Sequence, residues 1–239
     1  MALAYRPYRL AKIIDEAEGI RTFVCEPSDG QGVPPYKPGQ FFNLRLTTLP
    51  PGFKPNFHSY SASRTWTPEA VRFGIKMHGP FTQHLFTLKE GTPVEVMGPF
   101  GIFGLPEKID SPIVFLAAGI GITPLLCMAE HLAKSGHTRP FFLFYSNRNK
   151  IDIAYDALLH QLADINSNFK MVHTLTCADM PDGWTGECGR MDVGMLKRNG
   201  VDLDAAHFYF CGPKGFIDAM MEQLGEAGVP KERLHKEVW

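Results

Sequence analysis

Hydrophobic and polar positions follow two different patterns in the two halves of this 239-residue chain. In the first half, short apolar runs are separated by Pro and Gly, and every second residue from Val71 to Met77 is apolar. A period of two is typical of a strand with one buried face. Many short strands with turn residues between them predict a small antiparallel barrel.

The first half contains several strand candidates and one helix candidate. The helix is expected over residues 81–89, because Gly79-Pro80 forms a turn directly before it. The strand candidates are PYRLAKII, IRTFVCEP, GQFFNLRL, FHSYSAS, the segment from Val71 to Met77, and TPVEVMGPFG.

In the second half, continuous apolar runs alternate with helical patterns. The strand candidates are PIVFLAAG, RPFFLFYSN, FKMVHTLT and AHFYFCG, and the helix candidates are TPLLCMAEHLAKSG, YDALLHQLADI, VGMLKRNG and GFIDAMMEQLGEAG. Apolar strands separated by helices predict a parallel sheet covered on both faces. The predicted fold class is therefore α/β with two domains. An antiparallel β-barrel over residues 1–106 precedes a parallel α/β sheet over residues 107–239, and the two join near LPEKIDSP.

Composition narrows the functional class. Lys and Arg number 24 and Asp and Glu number 25, so no basic excess favours nucleic acid as a partner. The five cysteines are scattered without a CxxC pair, which argues against a disulfide framework, a zinc site and an iron–sulfur cluster. We expect no metal, no signal peptide and no membrane-spanning segment, and hence a soluble cytoplasmic protein.

A glycine-rich loop follows the first strand of the second half. FLAAGIGITPLL places Gly119, Gly121 and Pro124 between a buried strand and a helix. Glycines let the backbone approach a pyrophosphate, and the start of a helix supplies unpaired N–H groups. A tight turn without a ligand explains the same residues about as well. Pro124 replaces the third glycine of the usual dinucleotide fingerprint, and proline suits the first turn of a helix.

A second turn, CGPKGF, ends another strand of the same sheet. Cys211 closes the strand, and Gly212-Pro213 leads into a helix. Ligands of open parallel sheets bind beyond the carboxyl ends of the strands, so Gly119, Thr123 and Cys211 are expected to converge on one crevice. The alternative for Cys211 is a small buried apolar residue.

Four segments stand in a characteristic order along the chain: HSYSAS, GPFTQHL, AAGIGITPLL and CGP. With GPFG at 98–101 and an aromatic C-terminus, this order resembles the ferredoxin–NADP⁺ reductase superfamily, from PGQF to Trp239. The resemblance implies a flavin-binding antiparallel barrel followed by a nicotinamide-nucleotide domain. It further implies that hydride passes from NADH or NADPH to the flavin N5 and that electrons then leave for an acceptor.

The resemblance assigns the flavin site to the first half. Tyr60 would stack on the isoalloxazine ring, and Ser61 would hydrogen-bond near N5. The family's arginine that pairs with the flavin phosphate is His58 here, which departs from the motif. The remaining flavin-lining residues implied by the resemblance are Ser59, Lys76, Met77, His78, Gly79 and Thr82, the last two holding the pyrophosphate. Taken singly, Tyr60 as core, Thr82 as a helix cap and Lys76 as a surface charge are the ordinary alternatives.

The resemblance assigns the nucleotide site to the second half. Cys211 would lie beside the nicotinamide C4, and Glu237 would relay protons. Ser146 and Arg148 would meet the adenosine ribose and its phosphates, and Trp239 would cover the other flavin face. Ser61, Cys211 and Glu237 are thus the expected catalytic residues. The nucleotide loop comprises Gly119, Gly121, Thr123, Pro124, Gly212 and Pro213. A frayed terminus is the alternative for Trp239.

The resemblance also bears on the cofactor, the hydride donor and the electron acceptor. FAD is favoured over FMN, because FMN binders rely on the arginine that His58 replaces. Asn147 stands where NADPH enzymes carry an arginine, which slightly favours NADH and leaves both donors open. The chain shows no cluster cysteines, so a separate ferredoxin, flavodoxin or oxygenase component is the expected acceptor, with free flavin, ferric complexes or oxygen as alternatives. Two rival functions are an electron-transfer subunit of an obligate complex and a flavin-free binding module. Arg45 and Arg64 are candidates for the missing charge at His58.

Overall fold

The computed structural model describes residues 4–49, 53–177 and 179–238. The chain forms two compact units, residues 1–104 and residues 105–239. Each unit is built on its own six-stranded sheet.

The first unit is an antiparallel sheet in the order β4-β3-β6-β1-β2-β5. Its strands are β1 (Arg6–Ala17), β2 (Ile20–Pro27), β3 (Phe41–Leu46), β4 (Phe57–Ser61), β5 (Val71–Lys76) and β6 (Pro93–Phe100). The two outer strands meet, because Ala62 bridges to Phe73 and the Ser63 N–H donates to the Arg72 carbonyl at 2.9 Å. The sheet therefore curls closed, and the predicted antiparallel architecture is confirmed.

One short helix, α1 (Pro80–Leu85), follows β5. Gly79 precedes it at φ 80°, a conformation that favours glycine, and Pro80 occupies its first turn. The helix is shorter than the predicted 81–89. The Thr87 N–H and hydroxyl both bond to the His84 carbonyl, and this turn ends the helix.

The second unit is a parallel sheet in the order β10-β9-β8-β7-β11-β12. Its strands are β7 (Ile113–Ala118), β8 (Phe141–Asn147), β9 (Phe169–Leu175), β10 (Glu187–Cys188), β11 (His207–Gly212) and β12 (Leu234–Val238). Its helices are α2 (Ile122–Lys134), α3 (Asp156–Ile165), α4 (Val193–Arg198) and α5 (Lys214–Glu226). The predicted α/β class is confirmed, and β10 and β12 are strands that the sequence pattern did not indicate.

The strand order reverses direction at one place in the second unit. From β7, the chain proceeds outward through β8 to β9 on one side, and then returns to place β11 on the other side of β7. A crevice forms at such a reversal, beyond the carboxyl ends of the two strands. In this chain those ends are Ala118 of β7 and Gly212 of β11.

Candidate functional site

The glycine loop and the CGP turn meet at the strand-order reversal. A Cβ atom on Gly121 would lie 2.2 Å from the Cys211 carbonyl oxygen, so only glycine allows this contact. A Cβ on Gly212 would likewise lie 3.0 Å from the Ala118 Cβ. The two turns predicted separately from sequence therefore form one site, held together by close backbone packing.

Gly119 differs from Gly121. Its φ is 53°, and no heavy atom of the described residues lies within 4 Å of where its Cβ would be. This part of the loop faces open space directly before the N-terminus of α2. Such an arrangement suits an anionic ligand, because the first N–H groups of a helix have no intrahelical partner.

The other predicted loop residues shape the turn. The Thr123 hydroxyl donates to the Ile120 carbonyl at 3.2 Å, and Pro124 is buried in the first turn of α2. Pro213 is the cap residue directly before α5. These side chains explain the backbone path of the two turns.

Two of the predicted catalytic residues are neighbours. Cys211 and Glu237 are Cα partners across the parallel pair of β11 and β12, so their side chains lie on the same face of the sheet. Cys211 is fully buried, and Glu237 is half-buried. Trp239, which the sequence places on the flavin, lies outside the described residues.

Ser146 and Arg148 lie at the carboxyl end of β8. Ser146 pairs with Ala118 and Thr174, and Arg148 is exposed just beyond the strand. Asn147, between them, is 5% exposed, so its amide is buried beside the end of the strand. The sequence does not predict this burial; it shows only that Asn147 stands where NADPH enzymes carry an arginine.

In the first unit, His58 and Tyr60 share one face of β4. They pair with Leu44 and Phe42, two core residues of β3, and their ring centroids are 6.4 Å apart. Burial raises the pKa of the Tyr60 phenol well above its usual range. The two rings predicted to serve the flavin therefore line one surface.

His58 also contacts the helix that follows β5. Its ring lies 4.5 Å from that of Phe81, near the N-terminus of α1. Burial lowers the pKa of His58 below its ordinary 6.5. The ring is thus placed beside the predicted pyrophosphate turn, but it is mostly neutral at pH 7.

Ser59 and Ser61 lie on the opposite face of β4 from Tyr60, because side chains alternate along a strand. The Ser59 hydroxyl donates to the Asn43 side-chain oxygen at 2.7 Å. Ser61 is 2% exposed at the end of the strand. The strand thus presents His58 and Tyr60 on one side and both serines on the other.

The turn before α1 contains the other predicted flavin residues. The Thr82 hydroxyl accepts a bond from the His78 N–H at 2.6 Å and donates to the Gly79 carbonyl at 3.1 Å. Since that hydroxyl proton is used within the turn, a phosphate here would rely on backbone N–H groups. Lys76, Met77 and His78 are exposed along the approach to the turn.

Arg45 is wrongly placed to replace the missing arginine. It pairs with Phe57 across the strands, which puts its side chain on the opposite face of β3 from the Leu44–His58 pair. Its guanidinium contacts Glu95 at 2.5 Å and lies 3.9 Å from the Tyr5 ring centroid. Arg64 acts electrostatically on Glu16. Burial raises the pKa of Glu16, and a hydrogen bond from Thr22 and the charge of Arg64 offset part of this rise.

A separate cavity of about 780 Å³ lies at the outer edge of β9. Its wall includes Trp184, Asp156 and His173, whose Nε2 is 3.2 Å from the Asp156 Oδ1. Within the ranges that the structure describes, no three His, Cys, Asp or Glu side chains are arranged to hold a metal ion. Over the same ranges, the helices are too short or too polar to cross a bilayer.

Residues 115–222 match the family described as the oxidoreductase NAD-binding domain. A solved structure of similar fold is the flavohem-like FAD/NAD-binding domain of nitric oxide dioxygenase from Vibrio cholerae O1 biovar El Tor. It has a TM-score of 0.88 and 26% identity, and the match covers 98% of both chains. Residues 115–222 are therefore similar to an oxidoreductase NAD-binding domain, and the resemblance to the two-domain fold of the ferredoxin–NADP⁺ reductase superfamily is confirmed.

Among curated proteins, flavohemoproteins show the sequence similarity. The flavohemoprotein of Deinococcus radiodurans is 31% identical, and that of Chromobacterium violaceum is 32% identical. Each match covers 98% of this chain but only 59% and 60% of the respective relative. The chain thus spans about three fifths of the length of these flavohemoproteins.

Proposed function

We propose that this chain is an NAD(P)H-dependent flavoprotein reductase that binds FAD through its first unit and the nicotinamide donor through its second. The observation that carries the proposal is the backbone contact of Gly121 with Cys211. It joins two motifs, 90 residues apart in the chain, at the carboxyl edge of a parallel sheet. The names of the similar proteins, flavohemoprotein and FAD/NAD-binding domain, support the same activity.

The donor site fits a dinucleotide. Open space beside Gly119 leaves room for a pyrophosphate at the N-terminus of α2. Cys211 and Glu237, side by side on β11 and β12, would bracket the nicotinamide. Near the adenosine end, Arg148 is exposed and the residue before it is a buried amide. This segment offers one exposed arginine, with the exposed Lys150 as a weaker second cation. That supports NADH over NADPH, since a 2′-phosphate rewards a pair of arginines.

The flavin site fits FAD with a weak charge contact. Tyr60 offers a half-buried ring, and the turn from Gly79 to Thr82 offers backbone N–H groups at a helix start. His58, adjacent to that turn, supplies a hydrogen bond at neutral pH and a charge only in acid. FAD held there would supply hydride-accepting and one-electron chemistry. Ser61 would serve the flavin N5.

The acceptor is proposed to be a haem-bearing protein or an oxygenase component. The matched relatives are named flavohemoproteins, and about two fifths of each lies outside the match. A ferredoxin or a flavodoxin is the alternative. Steady-state assays with ferricyanide, a haem protein and a ferredoxin, each driven by NADH and by NADPH, test donor and acceptor together. Turnover with ferricyanide but with no protein acceptor would refute the acceptor proposal alone. No turnover with any acceptor would refute the reductase itself.

A further inference from the structure

Three aromatic side chains cluster between the last two strands of the second unit. His207 and Tyr209 belong to β11, and His235 belongs to β12. The Tyr209 ring lies over the His235 ring with centroids 4.5 Å apart and planes inclined by 21°. We name these three residues the His–His–Tyr cluster.

The two histidines are joined by a hydrogen bond. The His207 Nδ1 lies 3.2 Å from the His235 Nε2. The rings are nearly parallel, inclined by 10°, with centroids 5.5 Å apart. That separation is too long for face-to-face stacking and suits two imidazoles bonded edge to edge in one plane. One nitrogen must donate and the other accept, so the bond requires at least one neutral ring.

The cluster lies on the same sheet face as the predicted catalytic pair. His207, Tyr209 and Cys211 are alternate residues of β11, and His235 and Glu237 are alternate residues of β12. Tyr209 is the Cα partner of His235, just as Cys211 is the partner of Glu237. Whatever holds His235 in register with Tyr209 therefore holds Glu237 beside Cys211, one pair further along.

Few cross-strand side-chain pairs hold the register of β12, because this strand pairs with a single described neighbour. It is five residues long and lies at the end of the strand order, with β11 as its neighbour among the described strands. A short edge strand slips or frays more readily than a central one. Side-chain pairs across neighbouring strands are what fix the register in such a place.

We propose that His235, bonded to His207 and stacked on Tyr209, is a positioning residue that sets the register of β12 and thereby places Glu237 beside Cys211. The importance of that placement for turnover rests on the proposed function. The positioning itself is a property of the second unit and is measured without a flavin or a donor.

The cluster is sensitive to acid. The pKa of His207 is lowered by burial and then by the charge of Arg233, and the pKa of His235 by burial and then by His207. Arg233 itself is bonded to the Leu203 and Ala206 carbonyls. Because the folded-state pKa values lie below 6.5, the cluster contributes its full stability above pH 6.5. The bond survives protonation of one ring and is lost when the second ring is also protonated, as the pH falls through those values.

Hydrogen exchange of those β12 amides that bond to β11, within residues 234–238, tests the positioning directly. After correction for intrinsic exchange rates, we expect protection in the wild-type protein to fall at least tenfold from pH 7.5 to pH 4.5, where both rings are charged, while β8 stays protected. The double variant H207F/H235F keeps aromatic packing but cannot be protonated, so its β12 should stay protected at both pH values. H131N, an exposed histidine variant on α2, serves as the matched control and should behave like wild type.

Kinetics then connect the register to Glu237. H235A and E237Q should each lower kcat with little change in the KM for the donor, and the double variant should be no slower than E237Q. Wild-type exchange that is equal at both pH values, or acid loosening that persists in H207F/H235F, would overturn the positioning role. Additive losses in the H235A/E237Q double variant would also overturn it. A failure of the proposed function would instead appear as wild-type protein without turnover, with the exchange result unaffected.

Discussion

The backbone of Gly121 packs directly on the backbone of Cys211, at a distance that leaves no space for a side chain. This contact fixes the glycine loop after β7 to the end of β11. Both segments border the crevice where we place the nicotinamide. The shape of the donor site therefore depends on one residue without a side chain.

Replacing Gly121 with alanine should damage both stability and donor binding. The added methyl group meets the Cys211 carbonyl, so the backbone must shift, at a cost of about 1–3 kcal/mol. Thermal or urea unfolding measures the loss, and titration with NADH measures binding. G225A is the matched control, because Gly225 lies in α5 and no heavy atom within the described ranges is near its Cβ position. That variant should be as stable as wild type or slightly more so.

The charge at His58 should make FAD binding depend on pH. Burial keeps the pKa of this ring below 6.5, and a flavin phosphate would favour its protonated form. We therefore expect FAD affinity to rise as the pH falls below about 6.5 and to be flat between pH 7 and 8.5. H58R should bind FAD roughly fivefold more tightly at pH 8, since an exposed ion pair contributes on the order of 1 kcal/mol.

Fluorescence titration with FAD at pH 5.5, 7 and 8.5 measures this effect. H58Q retains a hydrogen-bonding group without a charge and should show the same affinity at all three values. Equal pH dependence in wild type and H58Q would show that His58 does not interact with the flavin phosphate.

Tyr60 should hold the flavin ring by stacking. Removing the ring in Y60A should weaken FAD binding roughly tenfold, because an aromatic pair contributes about 0.5–1.5 kcal/mol beyond its buried area. Y60F keeps the ring and should bind FAD almost as wild type does. If Y60A retains full affinity for FAD while its fold is intact by circular dichroism, the Tyr60 ring packs in the hydrophobic core and does not bind the flavin.

Glu237 should matter for turnover and not for donor affinity. A carboxylate that relays protons contributes on the order of 100-fold or more to the rate. We expect E237Q to lower kcat by about that factor with an unchanged KM for NADH, measured with ferricyanide and with a haem protein. An increase in the KM with an unchanged kcat would instead indicate that Glu237 binds the donor.

Patterns along the sequence predicted both sheets, because long apolar runs and alternating residues report burial directly. They missed β12, because Leu234–Val238 has three polar residues between two apolar ones and lacks the alternation of apolar residues that predicts a strand. They also extended α1 past Leu85, where the local turn at Thr87 ends the helix.

The site was predictable where motifs are local and unpredictable where it depends on tertiary contacts. The loop at Gly119 was recognised from its place between strand and helix, but its contact with Cys211 depends on strand order. The position of Arg45 on the far face of β3 depends on register, which the sequence alone leaves open. The His207–His235 bond likewise joins residues whose strands become neighbours only in the folded sheet.

The central claim is that this chain binds FAD and reduces it with a nicotinamide nucleotide. The most direct measurement is the visible absorbance of the protein reconstituted with FAD and titrated anaerobically with NADH and with NADPH. We predict a bound flavin spectrum that is bleached by one equivalent of donor, more rapidly with NADH. A folded protein that takes up no FAD, or that holds FAD left oxidised by both donors, would contradict the account.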